Sequence, residues 1–325
     1  MEEMEFKNRV DLSALSESVK QVRNEIGKVI VGQENMVNLL VAAILADGHV
    51  LIEGVPGVAK TLTAKLLSRV VSVDFSRIQF TPDLMPSDVL GTTVYNMKQS
   101  EFEFKSGPVF SNVVLIDEIN RAPAKTQAAL FEVMEERQVT IDGKTYPMEA
   151  PYLVVATQNP IEHEGTYRLP EAQLDRFLFK IVVDYPSLDQ EVSIVSGHHE
   201  RRGASAVGEV AAVLTKEKID EYRNAVQQMH VEANLMKYIA QIVHETRGNV
   251  SLFLGASPRA SIALLNSAKA YAAIHGRDFV TPEDVKFVAY PVLRHRIVLS
   301  PDKEMEGITT DDVIKQIVDK VEVPR

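Results

Sequence analysis

The chain opens on a helical rhythm. Leu15, Val19, Val22, Ile26 and Val29 recur at steps of four and three, which puts them on one buried stripe. A second helix follows and ends at Asp47-Gly48, so residues 13 to about 46 read as a helical pair. From there to about residue 185, short apolar runs alternate with amphipathic stretches. The runs His49-Val50-Leu51-Ile52, Asn112-Val113-Val114-Leu115-Ile116, Tyr152-Leu153-Val154-Val155-Ala156 and Phe179-Lys180-Ile181-Val182-Val183 are β-rich and scarcely alternate. Strands covered on both faces read this way, so the pattern predicts a parallel sheet flanked by helices. Phe75 to Phe80 is a weaker strand candidate.

Asp184-Tyr185-Pro186-Ser187 closes the sheet region. One helix later, Arg202 to Gly208 reads as a flexible connection, and beyond it the pattern is helical throughout. Thr281-Pro282-Glu283-Asp284 is a helix start in which Thr caps, Pro takes the first turn and Asp284 reaches back. The expected layout is α/β over residues 1–188 and a smaller all-α domain over 189–325. Neither an internal repeat nor a low-complexity segment interrupts it.

Composition narrows the class. Of 325 residues, 35 are Lys or Arg and 45 are Asp or Glu, giving a net charge of −10. Cysteine is absent, which excludes a disulfide scaffold, a thiolate metal site and a Cys nucleophile. The longest apolar run, Leu39 to Ala46, falls far short of the roughly 18 residues a membrane span needs. The acidic start, Met1-Glu2-Glu3-Met4-Glu5, lacks the basic character of a signal peptide. A cytoplasmic protein without membrane insertion is the expectation. The acidity also argues against nucleic acid as an obligatory partner.

Chemistry enters after the first strand. Gly54-Val55-Pro56-Gly57-Val58-Ala59-Lys60-Thr61 leads into the helical Leu62-Thr63-Ala64-Lys65-Leu66-Leu67. A triphosphate needs inward backbone N–H groups, a helix N-terminus, a reaching cation and a hydroxyl on Mg²⁺. Gly54 and Gly57 permit the tight backbone, Lys60 reaches the β and γ phosphates, and Thr61 ligates the metal. Ala59 stands where the pattern has Gly, and the loop tolerates it if its φ is helical.

A second site ends another strand. Val113-Val114-Leu115-Ile116-Asp117-Glu118 would deliver Asp117 beside the phosphate loop to hold Mg²⁺ through water, with Glu118 to orient and deprotonate the attacking water. The next strand ends at Ala156-Thr157-Gln158-Asn159-Pro160, whose Asn159 amide could bond water or the γ-phosphate; alternatively Asn159-Pro160 simply starts a turn. Arg176, in Leu174-Asp175-Arg176-Phe177, and Arg259, in Ala256-Ser257-Pro258-Arg259-Ala260, complete the set. His198-His199-Glu200 lacks metal-ligand spacing and reads as a solvated helix end, and Tyr222 and Tyr238 read as core.

In order along the chain, these motifs resemble the AAA+ ATPases. Asp117-Glu118-Ile119-Asn120-Arg121-Ala122, Ala156 to Pro160, and Leu169-Pro170-Glu171-Ala172-Gln173-Leu174-Asp175-Arg176-Phe177 are similar to the MoxR family within them. The resemblance implies ATP and Mg²⁺ as ligands, Lys60 and Thr61 as the Walker A cation and metal ligand, and Asp117 and Glu118 as the Walker B pair. It further implies Asn159 as sensor 1, Arg176 as an arginine finger acting on a neighbour, and Arg259 as the sensor 2 arginine of a helical lid. Ile30, Val31, Gly32 and Gln33 would pack near adenine. Asp88 to Gly107 fits the insertion after the second core helix of this clade, and Gln138 to Met148, turning at Asp142-Gly143, fits its hairpin before sensor 1. Arg121 and Arg168 are further arginines that could face a neighbour.

A finger supplied in trans implies a homo-oligomeric ring, most simply a hexamer. Family members act as chaperones that assemble or activate other proteins, often ones with a von Willebrand factor A domain. Two rival readings stand beside this. One is a nucleic-acid-stimulated motor, which the hairpin tip disfavours because Asp142, Gly143 and Lys144 carry no net positive charge. The other is an ATP-dependent assembly switch with little turnover. No Asn-Lys-x-Asp or Gly-x-Gly run occurs, so GTPase and dinucleotide signatures are missing.

Overall fold

The computed structural model describes residues 10–159, 169–202 and 205–324. It begins with α1 (Ser13–Gly27) and α2 (Glu34–Leu45), then β1 (His49–Gly54), α3 (Lys60–Val70) and β2 (Phe75–Gln79). A short α4 (Pro86–Leu90) leads into the hairpin β3 (Gly91–Asn96) and β4 (Glu101–Ser106). Next come β5 (Val113–Asp117), α5 (Ala124–Glu136) and a second hairpin, β6 (Gln138–Ile141) and β7 (Lys144–Pro147). The sheet is completed by β8 (Leu153–Gln158), α6 (Glu171–Leu174) and β9 (Phe177–Val183).

The main sheet has the order β2-β5-β8-β1-β9, and every neighbouring pair in it is parallel. Its strands divide their side chains between two cores. Val50, Ile52, Val113, Leu115, Leu153 and Val155 join the core beneath α1, α2 and α3, while Leu51, Val114, Ile116, Val154 and Ala156 join the one beneath α4 and α5. Both faces are thus buried, which is why these segments show no alternation in sequence. In α1, Leu15, Val19, Val22 and Ile26 are buried as the helical spacing requires.

The C-terminal part comprises α7 (Leu188–Arg201), α8 (Lys216–Gln227), α9 (Ala233–Arg247), β10 (Leu252–Leu254), α10 (Pro258–Ile274), α11 (Pro282–Leu293), β11 (Val298–Leu299), α12 (Pro301–Met305) and α13 (Thr310–Lys320). It is helical as expected, with one addition: β10 and β11 form a short antiparallel ladder. The capping box at Thr281 is present, its backbone N–H donating to Asp284 Oδ2 at 2.8 Å. Tyr222 and Tyr238 are buried in a core continuous with that of α1 and α2. The expected connection from 202 to 208 contains a 3₁₀ turn at Ala206–Glu209, and residues 203 and 204 lie outside the described residues. Among the described residues, no helix is long and apolar enough to cross a membrane.

The lid closes the free edge of the sheet. Arg294, His295 and Arg296 lie along β9, whose outer carbonyls would otherwise be open acceptors. Arg296 donates to the carbonyls of Phe177 at 2.6 Å and Leu178 at 3.1 Å, and to the Asp175 carboxylate at 2.7 Å. His295 Nε2 donates to the Phe177 carbonyl at 2.9 Å, and burial holds this imidazole's pKa well below its ordinary value.

Candidate active site

The phosphate loop hangs between β1 and α3. Gly54 is required by its neighbour, since a Cβ there would sit 2.6 Å from the carbonyl oxygen of Val183 on β9. Gly57 takes a φ of +87°. Ala59 departs from the expectation: its φ of 59° and ψ of 19° are left-handed rather than right-handed helical. The loop turns into α3 here with a backbone that Gly adopts freely and that strains a Cβ by about 1–2 kcal/mol. Val58 is buried, and Val55 and Leu62 pack on the core beneath, so the loop rests on apolar supports.

Lys60 Nζ donates to the Gly54 carbonyl at 2.5 Å, folding the side chain back across its own loop. Partial burial pulls its pKa down, and the carboxylates of Asp117, Glu118 and Glu53 push it back up. Thr61 Oγ1 lies 3.4 Å from both oxygens of Asp117, at the end of β5. Asp117 is buried and well partnered. Thr157 Oγ1 donates to its Oδ1 at 3.1 Å, and Arg77 Nε donates to its Oδ2 at 2.6 Å.

Glu118 follows with a left-handed backbone, φ 58° and ψ 51°. Its N–H donates to Thr157 Oγ1 at 3.1 Å, so one hydroxyl registers both acidic residues. Its Oε2 accepts from Gln79 Nε2 and pairs with Arg121 Nη1, each at 3.1 Å. Arg121 therefore turns toward its own chain's Glu118. Asn159 follows β8, which lies between β5 and β1, so it emerges between the acidic pair and the phosphate loop.

On the other side of the loop, Gly32 and Gln33 line a cleft of about 180 Å³ with Ile181 to Pro186 and Gln190. Val183 belongs to both this cleft and the Gly54 contact, so the cleft abuts the phosphate loop. Val31 precedes it in the same turn between α1 and α2. Gln190 presses on Gly32, where a Cβ would approach within 2.4 Å of its side chain.

The remaining arginines gather elsewhere. Arg176 Nη1 donates to the Phe131 carbonyl at 2.7 Å and pairs with Glu135 Oε2 at 2.5 Å. Arg259, in the first turn of α10, pairs with Glu135 Oε1 at 2.9 Å. This end of α5 lies at the start of the strands: His49 Nε2 donates to the Met134 carbonyl at 3.1 Å, and Arg137 bonds the carbonyls of Tyr152 and Asp47. The phosphate loop sits at the opposite end of β1, roughly 15–20 Å away by strand rise. Lys60, Thr61, Asp117, Glu118 and Asn159 are thus brought to one edge, and Arg176 and Arg259 to the other. Arg168 lies outside the described residues.

Sequence reasoning missed four participants. Arg77 and Gln79 share one face of β2, and Gln79 is in register with Asp117. Thr157 was visible only as part of a strand end, and Glu135 as one of several acids on a helix. Among the described residues no group of three acidic or His side chains could hold a metal without help from a hydroxyl or substrate.

Known proteins resemble the chain over most of its length. The description "ATPase family associated with various cellular activities (AAA)" matches residues 49–179, and "AAA lid domain" matches residues 244–317. Chaperone MoxR1 of Mycobacterium tuberculosis is 44% identical over 323 residues, covering 97% of this chain and 84% of that one. Uncharacterized protein YeaC of Bacillus subtilis is 46% identical over 92% of each chain, and Protein MoxR of Methylorubrum extorquens 30% identical over 95% of this chain and 96% of its own. A crystal structure from Cytophaga hutchinsonii, there provisionally described as an ATPase, superposes with a TM-score of 0.89 at 45% identity, covering 96% of this chain and 97% of that one.

Proposed function

The chain belongs to the MoxR family of AAA+ ATPases, and from that premise we propose that it hydrolyses Mg²⁺-ATP in a ring and uses the motion to remodel or assemble other proteins. The observation that carries the reading is the convergence of Thr61, Asp117 and Glu118 beside the loop that bears Lys60. The Thr61 hydroxyl and the two Asp117 oxygens form an all-oxygen set within 3.4 Å, the donor chemistry that suits Mg²⁺. Held by Thr61 and Asp117, the ion would supply positive charge to offset that of the phosphates.

The chain's own groups then divide the work. Backbone N–H groups of residues 57–61, at the turn into α3, hold the phosphates. Lys60 leaves the Gly54 carbonyl to reach the β and γ oxygens. Glu118 accepts a proton from water as its oxygen bonds to the γ phosphorus and the bond to the β–γ bridging oxygen breaks, giving ADP and phosphate. Asn159 orients that water or the γ oxygens, and Val31, Gly32 and Gln33 flank the base.

Arg176 and Arg259 pair with Glu135 at the end of the sheet opposite their own loop, which supports their serving a second copy's γ-phosphate in a closed ring, most simply a hexamer. A guanidinium delivered this way stabilises spreading phosphoryl charge and is worth about 10³–10⁵ in rate. Client proteins, including ones with a von Willebrand factor A domain, are the partners this reading names, and the cytoplasm, where ATP is plentiful, is its setting.

The test begins with Glu118→Gln, which is expected to bind ATP while hydrolysing it far more slowly; wild-type turnover would remove the assigned base. Mixing Arg176→Ala with Glu118→Gln subunits is then expected to restore activity, since each supplies what the other lacks. No recovery at any ratio counts against action in trans.

A further inference from the structure

We infer that Glu135 is a positioning residue that holds Arg176 of the α/β domain and Arg259 of the lid as one paired cationic group. The inference rests on the reading that these arginines act on a neighbouring copy's ATP, and it adds the residue that makes them act together.

Two guanidiniums placed side by side repel each other. Here each takes a different oxygen of one carboxylate, Arg176 on Oε2 and Arg259 on Oε1. The carboxylate offsets the repulsion and fixes the spacing to that of two oxygens on one centre. A phosphoryl group presents oxygens in a comparable way, so the pair is held at a spacing suited to its target before the target arrives. Such preorganisation lowers the cost of assembling a trans site.

The surroundings carry the same logic. Arg176 is also tethered to the Phe131 carbonyl, one turn before Glu135 on the same helix, so α5 grips it twice. Its chain neighbour Asp175 accepts from Ser257 Oγ at 3.1 Å and from Arg296 at 2.7 Å. Ser257 is the residue before α10, two positions ahead of Arg259. Consecutive residues therefore bracket the start of one lid helix, Asp175 through its cap and Arg176 through Glu135. A shift of the lid must move both arginines together or break this bracket. Beside the pair opens a cleft of about 460 Å³ lined in part by Phe131, Glu132, Gln173 and Arg176, which leaves Arg176 an open approach, while the Arg259 side chain is exposed.

An isolated exposed ion pair would matter little to stability or turnover. The test must therefore read something such a pair would not move. Steady-state ATP hydrolysis and titration with a fluorescent ATP analogue are measured for Glu135→Ala, Glu135→Gln, Arg259→Ala and the Glu135→Ala/Arg259→Ala double variant. Glu135→Ala is expected to lower kcat about tenfold with analogue affinity unchanged, because the binding loop is untouched. Glu135→Gln keeps one acceptor oxygen and is expected to fall between. In the Arg259→Ala background the Glu135 substitution is expected to cost much less, since one of the two partners it spaces is gone.

Unchanged or raised kcat in Glu135→Ala overturns the inference, as does full additivity with Arg259→Ala. Thermal unfolding of each variant shows whether the fold survives, and the Gln variant carries the test if the Ala variant does not. Arg176→Ala separates the two levels. If it leaves turnover intact, the trans-arginine reading falls and this one with it. If it abolishes turnover while Glu135→Ala has no effect, only the role of Glu135 is lost.

Discussion

The Nε of Arg77 lies 2.6 Å from Oδ2 of Asp117, so a guanidinium from the sheet's edge strand occupies one side of the carboxylate assigned to the metal. The Asp117 side chain is buried, and a buried carboxylate next to a phosphate loop requires a cationic partner. Arg77 supplies that charge from a half-exposed position, and Thr157 satisfies the other oxygen. A divalent ion drawn to Asp117 must share it with this guanidinium.

Arg77→Gln is expected to lower the Mg²⁺ concentration that gives half-maximal ATP hydrolysis, by about three- to tenfold, since the half-exposed guanidinium is screened nearly as in water. Hydrolysis measured across a Mg²⁺ series at saturating ATP checks this. A higher Mg²⁺ requirement would mean that Arg77 orients Asp117 for the ion instead of competing with it.

The same pair explains why the edge strand was hard to read. β1, β5 and β8 are buried on both faces and announce themselves as apolar runs. β2 lies at the edge of the sheet, and Arg77 and Gln79 on its one face serve Asp117 and Glu118. The polar residues that blur the strand are therefore part of the site. The phosphate loop, the acidic pair and Asn159 were legible because each follows a strand directly. Glu135 was not, because its partners lie far along the chain and Glu132, Glu135 and Glu136 look like a solvated helix face. His295 was hidden for a similar reason: Arg294-His295-Arg296 reads as a basic surface triplet, yet His295 and Arg296 are buried against β9.

Ala59 offers a test of loop strain. Its left-handed backbone suits Gly, tolerates Ala at a cost and opposes a branched Cβ. Ala59→Gly is expected to bind nucleotide as well as the wild type, with a stability change under about 1 kcal/mol, because relief of strain is offset by greater freedom in the unfolded chain. Ala59→Val is expected to weaken nucleotide binding at least several-fold. Equal affinities of the two variants in an ATP-analogue titration would show that this residue's conformation does not matter to the loop.

Arg296 provides a second structural test. Its side chain is almost wholly buried, with Asp175 as counter-ion and the carbonyls of Phe177 and Leu178 as acceptors. Removing the guanidinium strands Asp175 and uncaps the edge of β9. Arg296→Met is expected to destabilise the protein by about 3–5 kcal/mol, the cost of breaking a buried ion pair from one side. Denaturant unfolding measures it. Asp175→Asn is expected to be milder, since the amide still accepts from Arg296.

Acid stability follows from two buried histidines. His49 Nε2 donates to the Met134 carbonyl and its Nδ1 accepts from the Val154 N–H at 3.0 Å, which leaves no room for a second proton. Burial, reinforced by nearby Arg137, pushes its pKa down to about 3, and burial with Arg296 pushes that of His295 down as well. In the unfolded chain both return to about 6.5. Above that pH neither state takes a proton and the folded state keeps its full advantage. Below it the unfolded chain binds protons that the folded chain refuses, so stability falls as pH drops through the window from 6.5 toward 3. Each histidine is expected to contribute a slope of up to roughly 1.4 kcal/mol per pH unit there. Carboxylates with lowered pKa, such as Glu25, act only below about 4.5, so unfolding midpoints between pH 7.5 and 5 isolate the histidines. His49→Gln can keep both hydrogen bonds without titrating, so it is expected to flatten the slope by about half. An unaltered slope in that variant would show that His49 is protonated in the folded protein, and that the joint between α5 and the sheet accepts a charge.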